Sequence, residues 1–107
     1  MSQPIFGQDP DLVPPPLHGE YKIPGGKLVV VDLHVTDGCL RGVQLSGDFF
    51  LEPPETLDAI NAALEGLPAA SSADALTQAV TAALAPQVMM YGLTPEGIAV
   101  VVQRALS

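Results

Sequence analysis

The sequence predicts an α+β fold, a small three-stranded antiparallel sheet covered by about three helices. Three observations carry this reading. Residues 25–50, GGKLVVVDLHVTDGCLRGVQLSGDFF, read as two strands joined near Asp37-Gly38. Beyond Pro53-Pro54 the apolar positions change from alternation to helical spacing. Strands therefore come first and helices after, the order of a sheet packed against helices. The 107 residues, 48% of them apolar, suffice for one domain around one core. With no Trp and few other aromatics, that core must be aliphatic.

Residues 1–20 contain Pro4, Pro10 and Pro14-Pro15-Pro16. Proline at that density resists helix and sheet and favours extended polyproline conformation. The expectation is a flexible arm over residues 1–20 and a single domain over residues 21–107. The arm either is solvated or lies against a partner.

The first strand is expected over residues 28–35 and the second over residues 39–46. Alternation puts Val29, Val31, Leu33 and Val35 on one face, with Val43 and Leu45 on one face of the second strand. These sets meet only if odd positions pair with odd. A two-residue Asp37-Gly38 loop would pair odd with even. A three-residue loop, Thr36-Asp37-Gly38, keeps the parity and puts Gly38 where positive φ is needed. That loop pairs Val31 with Val43 and Val29 with Leu45. The opposite face carries Leu28, Val30, Asp32, His34, Leu40, Gln44 and Ser46. Three aliphatics exceed what a solvated face needs, so helices of this chain or another chain should cover them. That mixed face also leaves self-association through the sheet open when the chain is alone. Gly47 ends the strand, and residues 48–51 open a short third strand or a bend.

Pro53-Pro54 suits a helix start, where the amide protons are not needed. Leu57, Ile60, Leu64 and Leu67 recur at helical spacing until Gly66 and Pro68. The second helix opens at Ser71-Ser72-Ala73-Asp74 and carries Leu76, Ala79, Val80, Ala83 and Leu84 before Pro86. A linker, QVMMYGL, follows, with Met89-Met90-Tyr91 read as filler between helices. Thr94 caps the last helix with Pro95 in its first turn, and Ile98, Val101, Val102 and Leu106 share a face.

Four basic and twelve acidic residues give a net charge of −8. Such a chain repels phosphate backbones and lacks a polybasic membrane patch, so neither nucleic acid nor membrane is an expected partner. No apolar run approaches the roughly 20 residues of a membrane span. The N-terminal residues show no basic and apolar signal pattern. One cysteine excludes an internal disulfide. Together these predict a cytoplasmic protein.

Catalytic patterns are absent. Gly25-Gly26-Lys27 precedes a strand, not a helix, and so is a tight turn with a surface lysine rather than a phosphate loop. Neither His18, in the arm, nor His34, beside Asp32, has metal-ligand spacing. Cys39, on the apolar face with Arg41, is a small hydrophobe at the hairpin end or a reactive thiol. Lys22, Lys27 and Arg41 make the hairpin less negative than the helices. Lys27 and Asp48 approach across the strand ends. They either pair, for a small gain at a solvated surface, or leave Lys27 to reach an anionic group on a partner. Glycines at both ends of the hairpin serve sharp turns or the close approach of another backbone.

The stretch KIPGGKLVVVD at residues 22–32 resembles the opening of the C-terminal accessory domain of lipoate–protein ligases. So do SGDFF at residues 46–50, Pro53-Pro54-Glu55, LEGLP at residues 64–68, and YGLTPE at residues 91–96. The resemblance spans residues 21–106. It implies a separate small subunit that binds the ligase catalytic subunit and supports lipoyl-adenylate formation without being an enzyme alone. It also implies lipoate, ATP and Mg on that catalytic subunit and no cofactor on this chain. Gly25, Gly26, Lys27, Gly47, Asp48 and Phe49 are the positions expected to meet the partner or its ligand. The implied fold is that of iron–sulfur cluster scaffold proteins, of the SufE/NifU kind. That fold suggests the alternative, a sulfur-acceptor or iron–sulfur assembly protein using Cys39. Cluster scaffolds need several cysteines, whereas a sulfur acceptor needs one.

Overall fold

In the computed structural model, which describes residues 15–107, the chain runs β1 (Leu17–Lys22), β2 (Leu28–Thr36), β3 (Cys39–Gly47), β4 (Phe50–Glu52), α1 (Thr56–Leu64), α2 (Ala73–Ala83), β5 (Met89–Tyr91) and α3 (Pro95–Leu106). The α+β class stands, with an antiparallel three-stranded sheet and three helices. The identity of the third strand differs from expectation. It is β1, drawn partly from residues assigned to the arm, and the sheet order is β1-β2-β3. Residues 50–52 do not join this sheet. They pair with β5, inside the expected linker, as a separate ribbon. Pro4, Pro10 and Pro14 lie outside the described residues.

The loop between β2 and β3 also departs from expectation. Thr36 pairs with Cys39, leaving Asp37 (φ 54°) and Gly38 (φ 76°) as a two-residue turn. Two consecutive positive φ values define the type I′ turn favoured by Asp-Gly in hairpins. Parity is restored further along. His34 pairs with Arg41 but Asp32 with Gln44, so Gly42 and Val43 together stand opposite Leu33. Gly42 has φ 61°, the left-handed conformation of a bulge glycine. The bulge lets Leu40 before it and Val43 and Leu45 after it all face the core. Val31 consequently meets Leu45, and Val29 meets Gly47.

The core lies between the odd-numbered side of β2 and the helices. Val29, Val31, Leu33 and Leu40 are fully buried there. Against them pack Ile60 and Leu64 of α1, Leu76 and Val80 of α2, and Ile98, Val101 and Val102 of α3. Burying aliphatic side chains of this size stabilises by roughly 1.5–3 kcal/mol each before entropy is counted. The predicted caps form. Ser72 Oγ accepts from Ala75 N at 3.1 Å, and Thr94 Oγ1 accepts from Gly97 N at 3.0 Å. Helix α3 crosses close over β1 because Gly19 has no side chain: a Cβ there would sit 2.6 Å from Val101 O.

The helices all serve that one face. On the other, His18, Glu20 and Lys22 are exposed, and Leu28, Val30 and Asp32 are half-buried. Leu40, expected on this face, is in the core; Cys39 and Arg41, expected with the core, point away from it. The outer edge of β3 is closed by α1 and the loop after it. Asn61 Oδ1 accepts from Leu45 N at 3.1 Å, and the Glu65 carboxylate accepts from Gly42 N at 2.9 Å and Val43 N at 3.1 Å. Those two amides hold the Glu65 carboxyl below its usual pKa, since they bond only the charged form well. Among the described residues no helix is long and apolar enough to cross a membrane.

Candidate functional site

One end of the sheet gathers most of the residues singled out in the sequence. The β1–β2 connection is a tight turn. Gly26 N donates to Ile23 O at 2.8 Å, across Pro24 and Gly25, whose φ is 73°. Proline followed by a positive-φ glycine is the type II arrangement. A Cβ on Gly25 would meet nothing within 4 Å. Gly26 is different: a Cβ there would sit 2.9 Å from Gly92 O.

Gly92 ties the ribbon to this turn. Its carbonyl accepts from Lys27 N at 3.0 Å, and the aliphatic stem of Lys27 lies over its α-carbon, where a Cβ would collide with Lys27 Cγ. The Lys27 side chain is exposed. Lys22 is engaged instead, with Nζ donating to Gly26 O at 2.8 Å and Ile23 O at 3.3 Å.

The end of β3 arrives at the same place. Gly47 has φ 148°, and a Cβ on it would collide with Leu28 O. Asp48 N then donates to Leu28 O at 3.1 Å. Gly47 is thus required by the fold itself, independently of any partner. Among the described residues Lys27 and Asp48 form no ion pair, and both side chains face solvent. Phe49 packs partly against the core while Phe50 is exposed.

Cys39 is elsewhere, at the hairpin tip. It is half-buried and pairs with Thr36, with an isolated bridge to Pro68. Leu40 N donates to Leu67 O and Ala69 N to Gly38 O, both at 2.8 Å, so the α1–α2 connection clasps the tip. The Arg41 guanidinium turns towards Gly66. Among the described residues no three His, Cys, Asp or Glu side chains gather as a metal ion would require.

The structure adds a cluster around His18, a residue expected in the arm. His18 Nδ1 lies 2.7 Å from Asp32 Oδ1, and Nε2 lies 2.8 Å from Glu20 Oε2. Both contacts favour the imidazolium, Glu20 most, and raise the His18 pKa above its ordinary value. The alternation in LHGEYK at residues 17–22 was the available signal. The cluster lies on the outer sheet face, with the His18 and Glu20 side chains open to solvent and Asp32 half-buried. The sheet end offers hydrogen-bonded turns, the exposed Lys27 ammonium and an apolar ribbon.

No protein family matches the chain, and no curated protein does. Among solved structures it is similar to a chain from an archaeal lipoylation system of Thermoplasma acidophilum, described as a bipartite lipoate protein ligase and its E2 lipoyl domain. The two share 20% identity and superpose with a TM-score of 0.59, over 81% of this chain and 91% of that one. At this identity the likeness establishes a shared fold, and that fold is one found in a lipoylation system.

Proposed function

We propose that this chain is a non-catalytic accessory subunit of a lipoate–protein ligase. It binds the catalytic subunit and supports formation of lipoyl-adenylate there. The observation that carries the reading is the fold likeness to a chain of a bipartite lipoate protein ligase system, over nearly the whole of that chain. The GGKL, SGDFF and YGLTPE stretches support it, because the fold brings them together at one end of the sheet.

In this reading lipoate, ATP and Mg belong to the catalytic subunit. The open space over Gly25 lets a partner backbone approach, with Gly26 holding the turn against Gly92. Lys27 reaches an anionic group on the partner or its ligand, since Asp48 does not engage it. Gly47, Asp48 and Phe49 form the neighbouring wall. The scaffold fold of iron–sulfur assembly proteins and a cytoplasmic setting belong to the same proposal.

The test separates the two chemical steps. The catalytic subunit is given either lipoate with ATP or preformed lipoyl-adenylate, each with and without this chain. The chain should accelerate lipoylation of the acceptor from lipoate and ATP and leave transfer from lipoyl-adenylate unchanged. Lys27→Ala should lose the acceleration while keeping the unfolding midpoint. Equal effects on both steps, or on neither, contradict the proposal.

A further inference from the structure

Three of the large hydrophobic side chains exposed in this protein belong to one small ribbon: Phe50 is 70% exposed, Met89 51% and Tyr91 46%. The register explains why they lie together. Phe50 stands opposite Tyr91 and Glu52 opposite Met89, and directly opposed residues share a face. The alternate pair, Leu51 and Met90, faces inward, with Leu51 buried and Met90 packed against the core. The ribbon therefore has one side anchored and one side apolar and open. Beside Phe50 this surface continues into a shallow groove lined by Phe49, Pro54 and Leu57.

Clustered aromatics on an exposed element are the composition of a binding hot spot, not of a solvated surface. The rim indicates what the partner looks like. Asp48, Glu52, Glu55 and Asp58 adjoin the patch in sequence, all exposed, and among the described residues none is in an ion pair. Lys27 lies beside them, across Gly92. A second copy would bring the same carboxylates and a net charge of −8 against these. A partner with basic residues around an apolar pocket is complementary.

We infer that the outer face of the β4–β5 ribbon is the docking surface for the ligase catalytic subunit. Phe50 and Tyr91 enter an apolar pocket there, and basic residues around that pocket meet the acidic rim. This rests on the accessory-subunit reading above and names the surface that serves it.

The test is titration calorimetry of the full chain against the catalytic subunit. It compares wild type, Phe50→Ser, Tyr91→Ser and, as a control on the exposed side of α2, Gln78→Ala. Both ribbon side chains project into solvent, so the unfolding midpoints should be retained. Each ribbon variant should bind roughly thirtyfold or more weakly, the control should bind as wild type, and added salt should weaken the wild-type complex. Wild-type affinity in both ribbon variants would overturn this surface while leaving the accessory reading intact. An affinity indifferent to salt would overturn the basic rim. No binding by wild type would remove the accessory reading and this surface together. Sedimentation of the chain alone covers the remaining occupant: a dimer that Phe50→Ser dissolves would assign the ribbon to a second copy and overturn the proposal.

Discussion

Glu65 and Gly42, 23 residues apart, are joined by a hydrogen bond of 2.9 Å from the Gly42 amide to the Glu65 carboxylate, and the second carboxylate oxygen takes the next amide, Val43, at 3.1 Å. A bulge leaves its extra residue without a ladder partner. Here a side chain supplies the missing acceptor, and the same contact closes the edge of β3.

Glu65→Ala should therefore destabilise the fold by about 1 kcal/mol, a value kept low because the carboxylate is solvent-exposed. For a domain of this size that is a fall of about 4–8 °C in Tm. The effect depends on pH with a definite sign. The folded-state pKa of Glu65 is lowered, so its stabilisation is present above the unfolded value of 4.5 and is lost as pH falls through the folded value. Thermal unfolding of wild type and Glu65→Ala should differ at pH 7 and converge under strong acid. A gap that persists at low pH contradicts the account.

Gly47 and Gly25 make a controlled comparison. Both have positive φ, but a Cβ on Gly47 meets the Leu28 carbonyl whereas one on Gly25 meets open space. Gly25→Ala should cost about 1 kcal/mol through conformation alone. Gly47→Ala adds a backbone collision and should cost more than about 2 kcal/mol. Urea midpoints at fixed pH give both values. Equal costs would mean that β3 does not pass Leu28 as closely as described.

His18 offers the opposite pH dependence. Its pKa is raised by Glu20 and then by Asp32, so the stabilisation from these contacts is present below the unfolded value of 6.5 and fades as pH rises through the folded value. Imidazole resonances followed by NMR should titrate above an ordinary histidine. Glu20→Gln and Asp32→Asn should each move the midpoint down. A midpoint that ignores both substitutions would show that the contacts do not persist in solution.

Cys39 lies at the hairpin tip, clasped by the α1–α2 connection and away from the Lys27 end of the sheet. Cys39→Ser should leave stimulation of the ligase within about twofold, since a hydroxyl is close in size to the thiol and the site is only half-buried. Loss of stimulation, with stability retained, would favour chemistry at the thiol.

The helices were legible because each carries its own signals. Ser72 and Thr94 cap as their spacing requires, and the stripes through Leu76 and Val80, and through Ile98, Val101 and Val102, are the buried ones. The hairpin was legible in its parity and not in its register. Odd positions 29, 31, 33, 43 and 45 do share the core face, but the parity change sits at Gly42 and not in the turn. Local pattern weighs only the turn. The bulge is favoured there because Glu65, distant in sequence, satisfies its amides. Strand β1 was hidden by the prolines before it and by Gly19, which looks like a breaker until α3 is packed against it. Three-residue strands such as β4 and β5 are too short to show a period at all. Of the candidate site, the turns at Gly25 and Gly47 could be read locally. The opposition of Phe50 to Tyr91, and the joining of Gly92 to Lys27, required the fold.

The most direct measurement is pyrophosphate released from ATP by the catalytic subunit in the presence of lipoate, with and without this chain, beside the chain alone. Strong acceleration is expected when both are present, and none from the chain by itself. A catalytic subunit that forms adenylate equally fast without this chain would contradict it.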